Sequence, residues 1–309
     1  MMKYIPVTLA ILIWGWSEVL IKYLQEARFD PYSQNFYRYG ASALVIIVWA
    51  LISDRKGMAA GLAKWWLFLL PALFGMLYQT LWVIGFYHLA PTFTSLIGRS
   101  NIIVTIMTAI VFFPDERKLA SDWRFLSATA LALVSVSGVI AFHERGTEGA
   151  MVEGSYGWGV ALVLIGSAMW VFYAFAAKKV VREVGAVVTF AGSSAMMSVV
   201  MFVLAVIMQA YGSAHLDHIA DVEPFGIAVL FGSGILCVGI AQSVYYKSID
   251  LIGVSLSQIL TLVIPLIVGI ISFLMYGERL TTLQWVSGVI LLASLAYIID
   301  LNRKISASE

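Results

Sequence analysis

The sequence predicts an all-α membrane protein of ten transmembrane helices, arranged as two inverted five-helix repeats over residues 1–148 and 149–309 of one membrane domain. Three observations carry that prediction. First, 61% of the 309 residues are hydrophobic, 12% are charged and the mean hydropathy is +0.91, against about 45–50% apolar and about 25% charged in a soluble domain. Second, apolar runs of about 20 residues, enough to cross a bilayer core, recur along the whole chain with no polar block long enough for a separate globular unit. Third, charged and aromatic residues repeat between the two halves. A formal net charge of +1, with basic residues scattered through short loops, excludes a nucleic-acid surface. The single cysteine, Cys237, excludes an internal disulfide framework and reads as a small core residue.

The first span, 4–23, follows a basic N-terminus with no small-residue cleavage site before Lys22, so it reads as a retained helix. It contains "ILIWGWSEVLIKYL", with Trp14 and Glu18 inside an apolar run. Span two covers 34–52. Span three, 65–88, holds Pro71, Tyr78, Gln79 and Trp82; span four, 92–113, holds Ser95 and Arg99; span five covers 124–142. The second set falls at 155–177, 185–211, 224–246, 252–275 and 283–300. Pro265 lies in the middle of span nine, with Gly269 one turn later. A proline there frees backbone carbonyls for a kink or a cavity, and Pro265 is the expected hinge. Lys22, Arg38, Lys178 and Lys247 sit near span ends, where snorkelling to the interface explains them.

Orientation follows from the basic residues. With a cytoplasmic N-terminus, thirteen of the 19 Lys and Arg fall on the inner side and five on the outer; the remaining one, Arg99, lies well inside a span and belongs to neither side. Both termini are therefore expected in the cytoplasm of a cell with a bacterial-type inner membrane. The outer loops collect acids and histidines, including "HLDH" at 215–218. Without further ligands nearby that segment reads as a solvated loop, and no metal or other cofactor is expected.

The repeat is explicit. "IWGWSEVLIK" aligns with "MWVFYAFAAK" at a shift of 156, matching Trp14 to Trp170 and Lys22 to Lys178. "FFPDERKLASDWR" aligns with "LMYGERLTTLQWV" at a shift of 162, matching Glu116, Arg117 and Trp123 to Glu278, Arg279 and Trp285. Five spans per repeat is an odd number, so the second copy enters the bilayer upside down. Such inverted repeats support alternating access around a site near the midplane.

The "W-G-x-S" and following Lys of span one, "ERKLASDW" and "GERLTTLQW" before spans five and ten, and the five-plus-five order resemble the drug/metabolite transporter superfamily, in particular its EamA-like ten-helix branch. The resemblance implies a secondary transporter, often an exporter, of small organic metabolites. It also implies a central cavity lined by the first, third, fourth, sixth, eighth and ninth helices. Glu18 and Arg99 depart from the usual pattern of that branch.

Glu18 and Arg99 are the charged residues deepest in the predicted spans. Each lies four residues, about 6 Å at the helical rise, outward of its span's midpoint. Charge at such depth costs about 2.5–3.5 kcal/mol on insertion scales and so faces a cavity or a partner. One reading is a structural ion pair. The other is a substrate site, with Arg99 as a planar donor to an anionic group and Glu18 as acceptor for an ammonium or as the proton-coupling carboxylate. Trp14 shares the Glu18 face with Ile21 and suits a cation–π contact. Tyr78, Gln79 and Trp82 in span three, Ser95 one turn before Arg99, and Gln258 and Thr261 in span nine complete the expected substrate-binding set; Thr261 matches Arg99 at the 162 shift.

The expected function is export of a small metabolite such as an amino acid, whose zwitterion would satisfy both charges, possible proton coupling included. The alternative is export of organic cations or drugs through Glu18 and the aromatics. An intramembrane enzyme is the rival class, but the lone His-Glu lies in a loop without "HExxH", and no Gly-rich phosphate loop occurs. The expected partners are a small-molecule substrate, the lipid bilayer and protons, with the protein a monomer or homodimer.

Overall fold

A computed structural model describes residues 2–89, 94, 98–99, 101–113, 117, 119–141, 156–276 and 281–307. All regular structure among the described residues is helical. The first half contributes α1 (Ile5–Glu26), α2 (Pro31–Ser53), α3 (Arg55–Ala63), α4 (Leu69–His88), α5 (Asn101–Phe112) and α6 (Trp123–Ala141). The second contributes α7 (Tyr156–Val184), α8 (Ala186–Ala210), α9 (Pro224–Ser233), α10 (Ala241–Ile252), α11 (Val254–Leu260), α12 (Ile264–Tyr276) and α13 (Thr282–Ala307). A π-helical segment, Gly234–Ile240, joins α9 to α10, and a 3-10 turn, Thr261–Val263, joins α11 to α12. Among the described residues, eight helical stretches are long and apolar enough to cross a membrane, and two shorter apolar helices, Asn101–Phe112 and Trp123–Ser135, fall on the fourth and fifth predicted spans.

Local chemistry sets the helix ends. Asp30 caps α2 by accepting the Tyr32 and Ser33 N–H groups, both at 2.9 Å, with Pro31 pre-set for the first turn. Asp54 likewise accepts the Gly57 N–H at 2.8 Å and starts α3, a short helix that the apolar pattern did not announce. Gly185 alone joins α7 to α8 and Gly253 alone joins α10 to α11, each at φ +81°, a conformation that L side chains avoid. The "HLDH" loop is not simply solvated. The His215 N–H donates to Asp30 Oδ2 at 2.9 Å, and His218 lies 3.0 Å from the Ala27 carbonyl and edge-on to Phe29.

Large apolar side chains such as Leu44, Ile52, Met107, Val134 and Val199 are exposed, as a lipid-facing surface requires, while Ser, Thr, Asn and Gln side chains are buried between helices. Packing obeys the repeat. The α4–α7 contact has its counterpart in α10–α1, and the contact of α2 with the π-helical segment has its counterpart in α8–α4. The α2–α8, α5–α11 and α6–α13 pairs each bring together helices of corresponding spans in the two halves.

Two expectations at the span ends are corrected. Arg38 and Lys178 do not snorkel: they are only 1% and 2% exposed. Lys178 lies 5.1 Å over the Phe113 ring, and Arg38 turns into the centre of the molecule. Lys22 and Lys247 do sit in partly exposed positions, paired with Glu26 at 3.8 Å and Asp250 at 2.9 Å.

Candidate functional site

A cavity of about 100 Å³ lies where α1, α2, α4, the start of α5, α7, the π-helical segment, α10 and the Thr261–Val263 turn converge. From α1 it takes Trp14, Ser17, Glu18 and Ile21, which share one face by their spacing of three, four and seven. From α4 it takes Tyr78, Gln79 and Trp82. Arg99 enters from the turn before α5. A Cβ on neighbouring Gly98 would come within 2.4 Å of the Trp82 ring, so the glycine lets that turn close onto the tryptophan.

At the heart of the cavity Arg99 Nη2 lies 3.4 Å from Glu18 Oε1, and Arg99 Nη1 lies 3.5 Å from Thr261 Oγ1. The Thr261 hydroxyl donates in turn to the Gln258 carbonyl at 2.6 Å. The opposite charges at matched depth therefore meet. Breaking such a pair from one side is costly, because the other charge stays buried. Gln79 hydrogen-bonds Asn35 at 3.4 Å and receives the Tyr39 hydroxyl at 3.4 Å, which ties α4 to α2 beside the cavity.

The helix interruptions serve this geometry. Pro265 has no N–H to offer the Thr261 carbonyl, and the Ile264 N–H bonds it instead, tightening the chain into the 3-10 turn that presents Thr261. In the π-helical segment the Cys237 carbonyl accepts the Trp14 indole N–H at 2.9 Å. Cys237 thus lines the cavity instead of filling an ordinary core position.

Aromatic rings pack in a layer beside the cavity, which Trp14 and Trp170 line. Trp170 stacks on Tyr245 at 5.5 Å, and Trp14 contacts both, at 5.6 and 4.9 Å. One turn beyond Trp170 along α7, Tyr173 contacts Tyr246 at 5.8 Å. This layer stands between the cavity and the ends of α7 and α10 that carry Lys178 and Lys247.

Of the residues singled out from sequence, Trp14, Glu18, Tyr78, Gln79, Trp82, Arg99 and Thr261 line the cavity together. The Gln258 side chain is fully buried behind Thr261 and is not part of the lining. Ser95 lies outside the described residues. The α2 contribution, Arg38 and Tyr39, was missed, as were Ser17, Asn101, Ser167, Trp170 and Gln242. A signal for α2 existed: Asn35, Arg38, Tyr39 and Ser42 form a polar stripe at helical spacing, and all four are buried. Repeat-equivalent residues also meet here. Trp14 touches Trp170, and Arg99 touches Thr261, as residues close to a pseudo-two-fold axis must.

A membrane-embedded helical chain, with a cavity holding buried charges at the junction of two similar halves, is a multi-pass membrane transporter by class. The EamA-like transporter family matches residues 1–141 and again 157–299. The chain belongs to that family. A relative from Haemophilus influenzae, described as an uncharacterized transporter, is 22% identical over 314 residues covering 95% of each chain. A crystal structure is similar over 98% of both chains, with a TM-score of 0.76 at 16% identity; at that identity the likeness is one of fold. Family membership implies a small-molecule substrate and a lipid setting.

Proposed function

We propose that this protein is a secondary transporter that exports a small zwitterionic metabolite, such as an amino acid, by alternating access across a bacterial-type inner membrane, with both termini cytoplasmic. The observation that carries the reading is the Glu18–Arg99 pair, opposite charges 3.4 Å apart on the wall of one cavity. A zwitterion inserts between them, its carboxylate on Arg99 and its ammonium on Glu18, and so replaces one buried charge pairing by another without leaving either group bare. Trp14, Tyr78, Gln79 and Trp82 then close around the remainder, with Thr261 as a further polar contact. The 1–148 and 149–309 repeats exchange conformations about this site, and the Thr261–Pro265 break acts as the hinge. The cavity is complete within one chain, which suits a monomer or a homodimer.

Proton coupling enters through Glu18, which takes up a proton when the ammonium leaves. Export of organic cations is the second reading, favoured by the aromatic layer but opposed by two guanidiniums on the same lining. No catalytic step is assigned to the site. The test is flux of labelled amino acids from proteoliposomes. Arg99→Ala is expected to abolish it in protein that elutes as the wild type does, and full retention of every flux in that variant would sink the reading.

A further inference from the structure

The cavity carries one charge more than the pair needs. Arg38, on α2, is 1% exposed and lines the cavity, yet the hydrogen bond it makes is from Nη2 to Ser17 Oγ at 3.2 Å. Its Nε and Nη1 have no partner among the described residues, and no carboxylate there lies within ion-pair distance of it. A guanidinium does not deprotonate in a protein, so this charge persists at a depth where an uncompensated cation is expensive. Glu18 is matched by Arg99, which leaves the lining with one net positive charge.

The position is built into the fold. A Cβ on Gly234 would fall 2.4 Å from the Arg38 carbonyl, so the glycine at the start of the π-helical segment lets the α2 backbone press in at Arg38. The neighbouring lining adds donors without partners among the described residues: Arg99 Nε and Gln242 Nε2. Asn101 Oδ1 and Ser167 Oγ, likewise without partners among the described residues, can accept. Cargo held in this conformation is compact, well below the about 300–1,000 Å³ of drug-sized sites.

We propose that the cargo bears a net negative charge: beyond the zwitterionic groups that engage Glu18 and Arg99, it carries a second anionic group, a carboxylate or a small oxyanion, that binds Arg38. The compact amino acids with an acidic side chain fit this description. The proposal rests on the transporter reading above, and the anion site at Arg38 stands or falls separately from the assignment of the ammonium to Glu18. Arg38 supplies three unpartnered N–H groups from Nε and Nη1, and charge-assisted bonds to an oxyanion are the strong kind.

The experiment measures binding by thermal stabilisation, and flux in proteoliposomes, for aspartate, glutamate, alanine, lysine and succinate. The wild type, Arg38→Gln and Arg38→Lys are compared. Wild-type protein is expected to prefer aspartate or glutamate to alanine by about tenfold or more and to reject lysine. Arg38→Gln is expected to weaken aspartate and glutamate binding more than alanine binding, so that the acidic preference is erased, and Arg38→Lys to retain part of that preference. The wild-type panel alone decides the charge question should either variant fold poorly. Equal binding of alanine and glutamate, or an acidic preference untouched in Arg38→Gln, overturns the anion site and leaves the zwitterion reading standing. Succinate binding that depends on Arg38, with no amino acid bound, supports the anion site and removes the zwitterion. Failure of all five probes overturns both.

Discussion

Among individual residues, Glu18 and Arg99 raise the question of whether a buried ion pair transports or merely holds helices together. The two roles separate by stability. Glu18→Gln leaves Arg99 buried opposite a neutral group, and removing one partner of a buried pair costs about 3–5 kcal/mol. The single variant is therefore expected to melt well below the wild type. In the double variant Glu18→Gln with Arg99→Gln the bare charge is gone, and the melting temperature is expected to recover a large part of that loss. Transport should not recover. Restored flux together with restored stability would instead make the pair a structural clamp. Arg38 belongs to the same scale, and its readout is a preference among substrates and not a melting temperature.

The informative elements are the helices that break their own regularity. The α9–α10 span passes through a π-helical segment whose first residue, Gly234, accepts the Arg38 backbone at a distance no Cβ tolerates. A backbone obstacle cannot rotate away as a side chain can. Gly234→Ala is expected to cost about 1–3 kcal/mol, the usual range for overpacking, read as a lowered melting temperature. Gly232→Ala, two residues earlier with nothing within 4 Å of its added methyl, is the control and should leave the melting temperature near the wild-type value. Equal melting of the two variants would show that α2 and the π-helical segment can part without loss. The α11–α12 break follows the same logic in covalent form, because Pro265 removes the hydrogen bond that would have kept Thr261 in regular helix.

Over the whole molecule, alternating access requires the aromatic layer of Trp14, Trp170, Tyr173, Tyr245 and Tyr246 to part. The chain contains one cysteine, Cys237, and it lines the cavity while being only 4% exposed. Alkylation of the unmodified protein thus reports on one position without mutagenesis. A small membrane-permeant thiol reagent is expected to label Cys237 slowly, and bound substrate to protect it further. Cys237→Ser supplies the blank. Rapid labelling that substrate does not alter would mean that the cavity stands open or lies apart from the transport path.

Much of this was legible in sequence because hydropathy and charge are summed along a segment and do not depend on where its neighbours lie. Composition and apolar run length determined the all-α membrane fold and placed the spans; the shifts of 156 and 162 exposed the repeat; burial cost singled out Glu18 and Arg99. Side-chain azimuth is a different quantity. Whether Arg38 reaches the interface or the centre depends on which face α2 turns to the π-helical segment, and a π turn leaves no local hydropathy trace. Gln258 and Thr261, three residues apart, illustrate the same limit, since only the turn before Pro265 sends one into the cavity and the other behind it. The sequence by itself determined the class, the spans and the central charges. Only the tertiary structure decided that a second guanidinium joins them, because that choice is made by helix rotation and close backbone approach, which no single segment encodes.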